Sequence, residues 1–232
     1  MKLPNFDFDS GAILLIDKPL HWTSFDVVKK LKYALKIKKI GHAGTLDPLA
    51  SGLLILCTGK MTKMIDQFQQ KEKEYTGILS LGKTTPSIDL ETEFNQVNDI
   101  THLNENIIKA AIKEFIGEIK QVPPQYSAIK VQGERVYKKA RKGIQVNLNP
   151  RLVEIKQFEI LALDLPDVHF RIVCSKGTYI RSLVRDVGEK LKCGAYLKKL
   201  TRTRIGEHQL SEAYRLEDLV QINWANKQLM KK

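Results

Sequence analysis

A mixed α/β fold is predicted by three features of the chain. Residues 12–16 and 53–57 are unbroken apolar runs of strand length, too short for ordinary helices and fit for strands buried on both faces. Residues 73–81 alternate as a half-buried strand does. Two further segments, 25–35 and 178–191, repeat their apolar residues at helical spacing.

The strand at 12–16 ends in a turn at Lys18-Pro19, and Thr23-Ser24-Phe25-Asp26 has the form of a capping box opening the next helix. Phe25, Val27, Val28, Leu31, Ala34 and Leu35 define its core stripe, which turns the lysines outward. After the strand at 73–81, the polar and acidic residues 82–106 read largely as loop, and 107–116 as helix. Val122-Pro123-Pro124-Gln125-Tyr126 breaks that pattern, and an exposed insertion follows. Residues 133–143 place Tyr137 among Arg135, Lys138, Lys139, Arg141 and Lys142. This reads as an arm meeting nucleotides, or equally as a surface hairpin or helix. Strands are expected at 152–161 and 169–174. The helix at 178–191 has a stripe of Ile180, Leu183, Val184, Val187 and Leu191.

A length of 232 residues fits one large domain or two small ones, and one continuous catalytic domain is expected. The net charge of +12 and pI near 9.5 favour a polyanionic partner, nucleic acid first. Basic residues cluster at 29–39, at 130–142 (six against Glu134) and at 176–204 (nine against Asp186 and Glu189), which implies a broad basic surface, although a Lys-rich helix is often only a solvated face. Cys57, Cys174 and Cys193 are widely spaced and fit buried thiols in a reducing cytoplasm. Residues 1–7 lack the apolar core of a signal peptide and no apolar run reaches membrane-spanning length. A cytoplasmic protein without a membrane partner is therefore expected.

The most informative stretch is Gly41-His42-Ala43-Gly44-Thr45-Leu46-Asp47-Pro48-Leu49-Ala50-Ser51-Gly52-Leu53-Leu54, where a carboxylate sits among small residues beside a buried strand. Its glycines permit a tight loop and the approach of a bulky ligand, and a rigid base under one carboxylate suits a nucleophile. Asp47 also reads as an ordinary Asp-Pro turn opener. No triad order or His/Cys cluster accompanies it, so hydrolase triads and zinc chemistry receive no support. Arg181 lies off its helix's stripe and faces the positive end of the helix dipole. A carboxylate, with Asp47 as a candidate, or a phosphate would compensate it; otherwise Arg181 and Arg185 share a wet face.

Asp17-Lys18-Pro19, Thr23-Ser24, the 41–54 stretch and Tyr179-Ile180-Arg181-Ser182-Leu183 together resemble the bacterial tRNA pseudouridine synthases of the TruB type over nearly the whole chain. The resemblance implies a pseudouridine-synthase fold with a largely antiparallel central sheet flanked by helices. It implies isomerisation of uridine 55 in the TΨC loop, from N-glycoside to C-glycoside, without cofactor or metal, by a monomer acting on the T-arm. Asp47 corresponds to the nucleophile and Arg181 to the arginine paired with it, which favours the ionised carboxylate. Tyr75 corresponds to the tyrosine stacking on the target base and assisting proton removal at C5; on its own it reads as a strand aromatic. Tyr179 and Leu200 match pocket-lining residues, and both read equally as core. His42 matches the histidine that enters the RNA loop near the extruded nucleotide, where a lone histidine reads as surface loop.

The insertion at about 124–151 resembles the family's RNA-gripping thumb, with Lys130, Arg135, Lys138, Lys139, Arg141 and Lys142 as contact candidates. There are departures. His21 stands where the family usually has glycine, Pro86 is unusual in its loop, and the chain stops soon after Trp224, so no PUA domain is expected. Two other functions compete: a non-catalytic RNA-binding or tRNA-folding protein in which Asp47 is idle, and a glycoside-cleaving enzyme, for which no second carboxylate is placed by motif.

Overall fold

A computed structural model describes residues 6–220; residues 1–5 and 221–232, including Trp224, lie outside the described residues. The chain divides into two compact units, one running to Tyr75 and resuming at Leu200, the other spanning Thr76–Lys199.

The first unit opens with strand β1 (Ile13–Lys18), helix α1 (Ser24–Ala34), β2 (Ile40–His42) and β3 (Ala50–Thr58), followed by α2 (Ile65–Gln70) and the start of β4 (Lys73–Leu81). β1 runs antiparallel to β3, with Ile16 opposite Leu54 and Lys18 opposite Gly52, and β2 pairs antiparallel with β3 from His42↔Leu56. The apolar run of β3 is unbroken because both its faces are covered. Leu54 and Leu56 pack with Leu14, Ile16, Val27, Val28 and Leu31, while Leu53, Ile55 and Cys57 pack with Ala43, Phe68 and Ile205.

Helix α1 starts as its sequence predicts. The Asp26 amide donates to Thr23 Oγ1 at 3.0 Å and the Thr23 amide to Asp26 Oδ2 at 2.9 Å, satisfying two groups that a helix start leaves open. Its lysines 29, 30 and 32 face outward. Phe25 is a correction: it is 67% exposed, because Ser24, Val27, Val28 and Leu31 set the centre of the buried arc and Phe25 lies well round the helix from it. His21, in the family's glycine position, takes the left-handed φ of 66° that glycine adopts without strain.

In the second unit β4 is followed by the two-residue strands β5 (Lys83–Thr84) and β6 (Gln96–Val97), then α3 (Glu105–Lys113) and β7 (Gly117–Gln121). The stretch at 82–106, read largely as loop, therefore carries a short antiparallel ladder. In the insertion, β8 (Lys130–Val131) and β9 (Glu134–Arg135) form a tiny hairpin leading into α4 (Val136–Ala140), so hairpin and helix both occur there. β10 (Arg151–Asp164) pairs antiparallel with β11 (Asp167–Cys174) and with β7. Helix α5 (Ile180–Lys190) buries the predicted stripe of Ile180, Leu183, Val184 and Val187, with Leu191 buried just past its end.

Strand β12 (Ala195–Ile205), not anticipated from sequence, returns the chain to the first unit, which ends with β13 (His208–Gln209) and β14 (Tyr214–Arg215). There β12 runs parallel to β3, aligning Leu200 with Ala50 and Arg202 with Gly52, and β14 runs parallel to β1. The other strand pairs described above are antiparallel. The three cysteines are buried and free. Among the described residues no helix is long and apolar enough to cross a membrane.

Gly52 has φ 103°, and a Cβ there would collide with the Arg202 carbonyl oxygen and lie 2.9 Å from its amide nitrogen. Gly52→Ala is therefore expected to destabilise the protein by about 2–4 kcal/mol, read as a lower urea midpoint at unchanged m-value. A midpoint within error of wild type would contradict the close strand contact.

Candidate active site

Asp47 occupies the first position of a turn closed by Ala50 N–H donating to its carbonyl at 3.1 Å, so the turn-opener reading describes its backbone correctly. Hydrogen bonds hold this turn and the segments on either side of it. The Ser24 hydroxyl, buried at the start of α1, lies 2.9 Å from the Leu46 amide, which donates to it, and 3.2 Å from the Leu46 carbonyl. His21 N–H donates to the Pro48 carbonyl at 2.8 Å, which gives the left-handed turn at 18–22 a purpose. Ala43 N–H donates to Ile55 O at 2.8 Å. From β12, Arg202 donates through Nε to Leu53 O at 2.8 Å and through its terminal nitrogens to Gly44 O at 3.3 Å and Thr45 O at 3.4 Å.

Arg202 and Lys18 are both fully buried. Burial of an ammonium disfavours its charged form. It pushes Lys18 down to about 8, against the negative charge of Asp47, which raises it, and with the positive charge of Arg202, which lowers it. Lys18 Nζ donates to the carbonyls of Trp22 at 2.6 Å and Pro19 at 2.9 Å. The loop preceding Asp47 is thus flanked by two buried cations. His42, on β2, is pushed below the ordinary histidine range, by burial first and by Arg202 second, against the Gly44 backbone. A neutral ring at this place suits shape recognition rather than proton transfer.

Of the other sites predicted in the first unit, Leu200 is buried and its alignment with Ala50 places it beside the Asp47 turn. Tyr75 is 8% exposed, on the inward-facing register of β4. Both positions agree with a core reading as well as with a pocket wall.

The second unit holds Arg181 and Tyr179. Arg181, only 4% exposed, donates to Ser87 O at 3.1 Å and Tyr126 O at 2.8 Å, and its Nε lies 3.6 Å from the buried Asp89 carboxylate. The wet-face reading of Arg181 is corrected. A carboxylate does offset its place in the first turn of α5, and within this unit that carboxylate is Asp89. Tyr179, the N-cap of α5, is half-buried, and its backbone is clamped by the Gln121 side chain at 2.8 and 3.2 Å. In the insertion Lys130, Arg135, Lys138 and Lys142 are exposed and Lys139 half-buried. Arg141 is engaged by Glu91 at 2.7 Å and lies 5.4 Å from the Tyr137 ring centre.

Lys18, Arg202 and Asp89 carry no assigned role in the sequence reading. Lys18 had a legible signal, a cation ending an apolar strand run. Arg202 and Asp89 had none, because their burial depends on strand register and on a loop.

Two chains of solved structures are similar, each with a TM-score of 0.72. One is from an H/ACA RNP bound to a substrate RNA containing 2'-deoxyuridine, 29% identical, covering 95% of this chain and 56% of the other. The second is from a Cbf5-Nop10-Gar1 complex, 32% identical, covering 92% and 54%. This chain spans just over half the length of either. Fold and sequence together define a pseudouridine synthase. Residues 32–180 match the TruB family pseudouridylate synthase N-terminal domain and residues 181–232 the tRNA pseudouridylate synthase B C-terminal domain. The chain belongs to the TruB family. Proteins named tRNA pseudouridine synthase B are similar over most of its length. That of Parabacteroides distasonis is 51% identical, covering 92% of this chain and 93% of its own, and that of Flavobacterium johnsoniae is 51% identical, covering 89% and 93%.

Lys18 supplies a test of the electrostatics. Its pKa is lower in the folded than in the unfolded chain, so its burial costs stability below about pH 8, and that cost fades as pH rises toward the free-lysine value. In a ¹³C NMR titration of the lysine Cε atoms, one resonance should have its midpoint near 8, and Asp47→Asn should move that midpoint lower by removing the opposing anion. A midpoint insensitive to Asp47→Asn would disprove their proximity.

Proposed function

We propose that this enzyme converts uridine to pseudouridine at position 55 in the TΨC loop of tRNA, acting in the cytoplasm as a monomer on the T-arm, without metal or cofactor. The observation that carries the reading is Asp47, within the family's central motif, on a turn fixed from several sides with buried Lys18 close enough to feel its charge. Asp47 is the nucleophile. Breaking the N1–C1′ bond frees a base that turns and rejoins the sugar through C5; the proton lost from C5 is balanced by one gained at N1. The uridine must leave its folded loop before an enclosed carboxylate can reach it.

Arg181 serves as the cation partner of Asp47, and Tyr75 stacks on the target base and assists loss of the C5 proton. Tyr179 and Leu200 line the nucleotide pocket, and His42, kept neutral by burial, enters the RNA loop. These assignments follow the family motif residue by residue. The insertion at 124–151 is the thumb that grips RNA. Its exposed Lys130, Arg135, Lys138 and Lys142 support this, whereas Arg141 already has Glu91 and has less charge to offer a phosphate.

Two experiments test the reading. With unmodified tRNA transcript, carbodiimide-dependent reverse-transcription stops should appear at position 55 for wild type, and Asp47→Asn should lower the rate by at least about 10³-fold while retaining binding. Unchanged stops with Asp47→Asn would reject the nucleophile, and release of free uracil would indicate glycoside cleavage instead. For the thumb, replacing Lys138 and Lys139 together by Ala should weaken tRNA binding and reduce the salt slope by about two; an unaltered slope would reject the contact.

A further inference from the structure

A groove of about 620 Å³ opens on the first unit between the 18–22 turn and the outward face of α1, lined by His21, Trp22, Asp26, Lys29, Lys30 and Tyr33. Its size is that of a ligand pocket, about 300–1,000 Å³. These lining side chains are aromatic and basic apart from Asp26. Trp22 is half-buried, its ring packed on the core beneath α1 and its carbonyl held by Lys18 Nζ at 2.6 Å, so it is a fixed aromatic wall. Tyr33 is 73% exposed, and Phe25, on the same side of the helix at a spacing of two turns, is 67% exposed. Neither contributes a buried face to the fold, and between them stands Lys29.

Asp26 is the acidic group lining the groove. Its carboxylate is occupied by the Thr23 amide and hydroxyl at 2.9 and 2.6 Å, which hold it below the usual carboxylate range. No Asp or Glu occurs between it and Asp47, against six lysines in that interval. His21, at the groove's edge, is hydrogen-bonded to the Pro48 carbonyl, so the groove adjoins the turn that presents Asp47.

Aromatic faces beside ammonium groups match a nucleobase joined to a phosphate. We propose that this groove binds an unpaired nucleotide of the RNA substrate, distinct from the target uridine, with its base on Trp22 and Tyr33 and its phosphate against Lys29 and Lys30. This rests on the reading that the substrate is RNA. The groove would add affinity and recognise single-stranded character beside the target.

Trp22 reports on its own occupancy. The chain has two tryptophans, so in Trp224→Phe protein the fluorescence comes from Trp22 alone. Binding of an unmodified tRNA transcript, and more weakly of an unstructured oligouridylate, should quench that emission. Tyr33→Ala, and Lys29→Ala with Lys30→Ala, all at exposed positions, should weaken transcript binding about ten-fold at unchanged melting temperature. Retention of transcript on a filter without quenching would overturn the proposal, as would variants that bind and quench like the parent; the groove would then be left to a protein partner. Pseudouridine formed without quenching removes the groove and leaves the proposed function intact. Quenching with no pseudouridine formed removes the proposed function and leaves the groove.

Discussion

A guanidinium sealed inside the first unit is the constraint on which the site depends. Arg202 is 1% exposed, and a buried charge is tolerated only where hydrogen bonds replace its water. Those bonds come from the carbonyls of Gly44, Thr45 and Leu53, so desolvation of one side chain fixes both ends of the loop that carries Asp47. Burial first, and the same cation in addition, lower the pKa values of Lys18 and His42. Arg202 thus contributes to both the geometry and the electrostatics of the loop, and its parallel pairing with Gly52 is possible because Gly52 has no side chain to block it.

Where local pattern and burial coincide, the sequence was a reliable guide. The apolar run of β3, the capping box of α1 and the stripe of α5 each describe forces acting within a few residues, and each element formed close to its expected bounds. Phe25 misled because a helical stripe has a centre that composition alone does not locate, and the Ser24–Leu46 contact turned the arc toward Ser24. Strand β12 was missed because its lysines and arginines mask its alternation. Asp47 and its loop were legible as a motif, yet the cations around them were not: burial of Arg202 is decided by pairing with a strand some 150 residues away in sequence, and the Asp89 partner of Arg181 by a loop that looked featureless.

The net charge of +12 likewise resolves into two populations. In the cluster at 176–204, Arg181 and Arg202 are internal, and Arg185, Lys190, Lys198 and Arg204 are engaged by carboxylates. Counting charges there overstates the surface offered to an anion. On α1 and in the insertion, by contrast, most cations are exposed, Lys139 being half-buried and Arg141 exposed but paired with Glu91. Attraction for a polyanion is concentrated on these two segments.

The contacts from Ser24, His21 and Arg202 to the 44–53 segment all end on main-chain atoms. A peptide group is the same whichever residue bears it, so apart from Gly44 and Gly52, whose φ of 96° and 103° call for glycine, this cradle is blind to the identities of the residues it supports. The side chain at position 47 can therefore be exchanged by mutation while the framework beneath keeps its form, so whatever that position contributes is separable from the folding of its support.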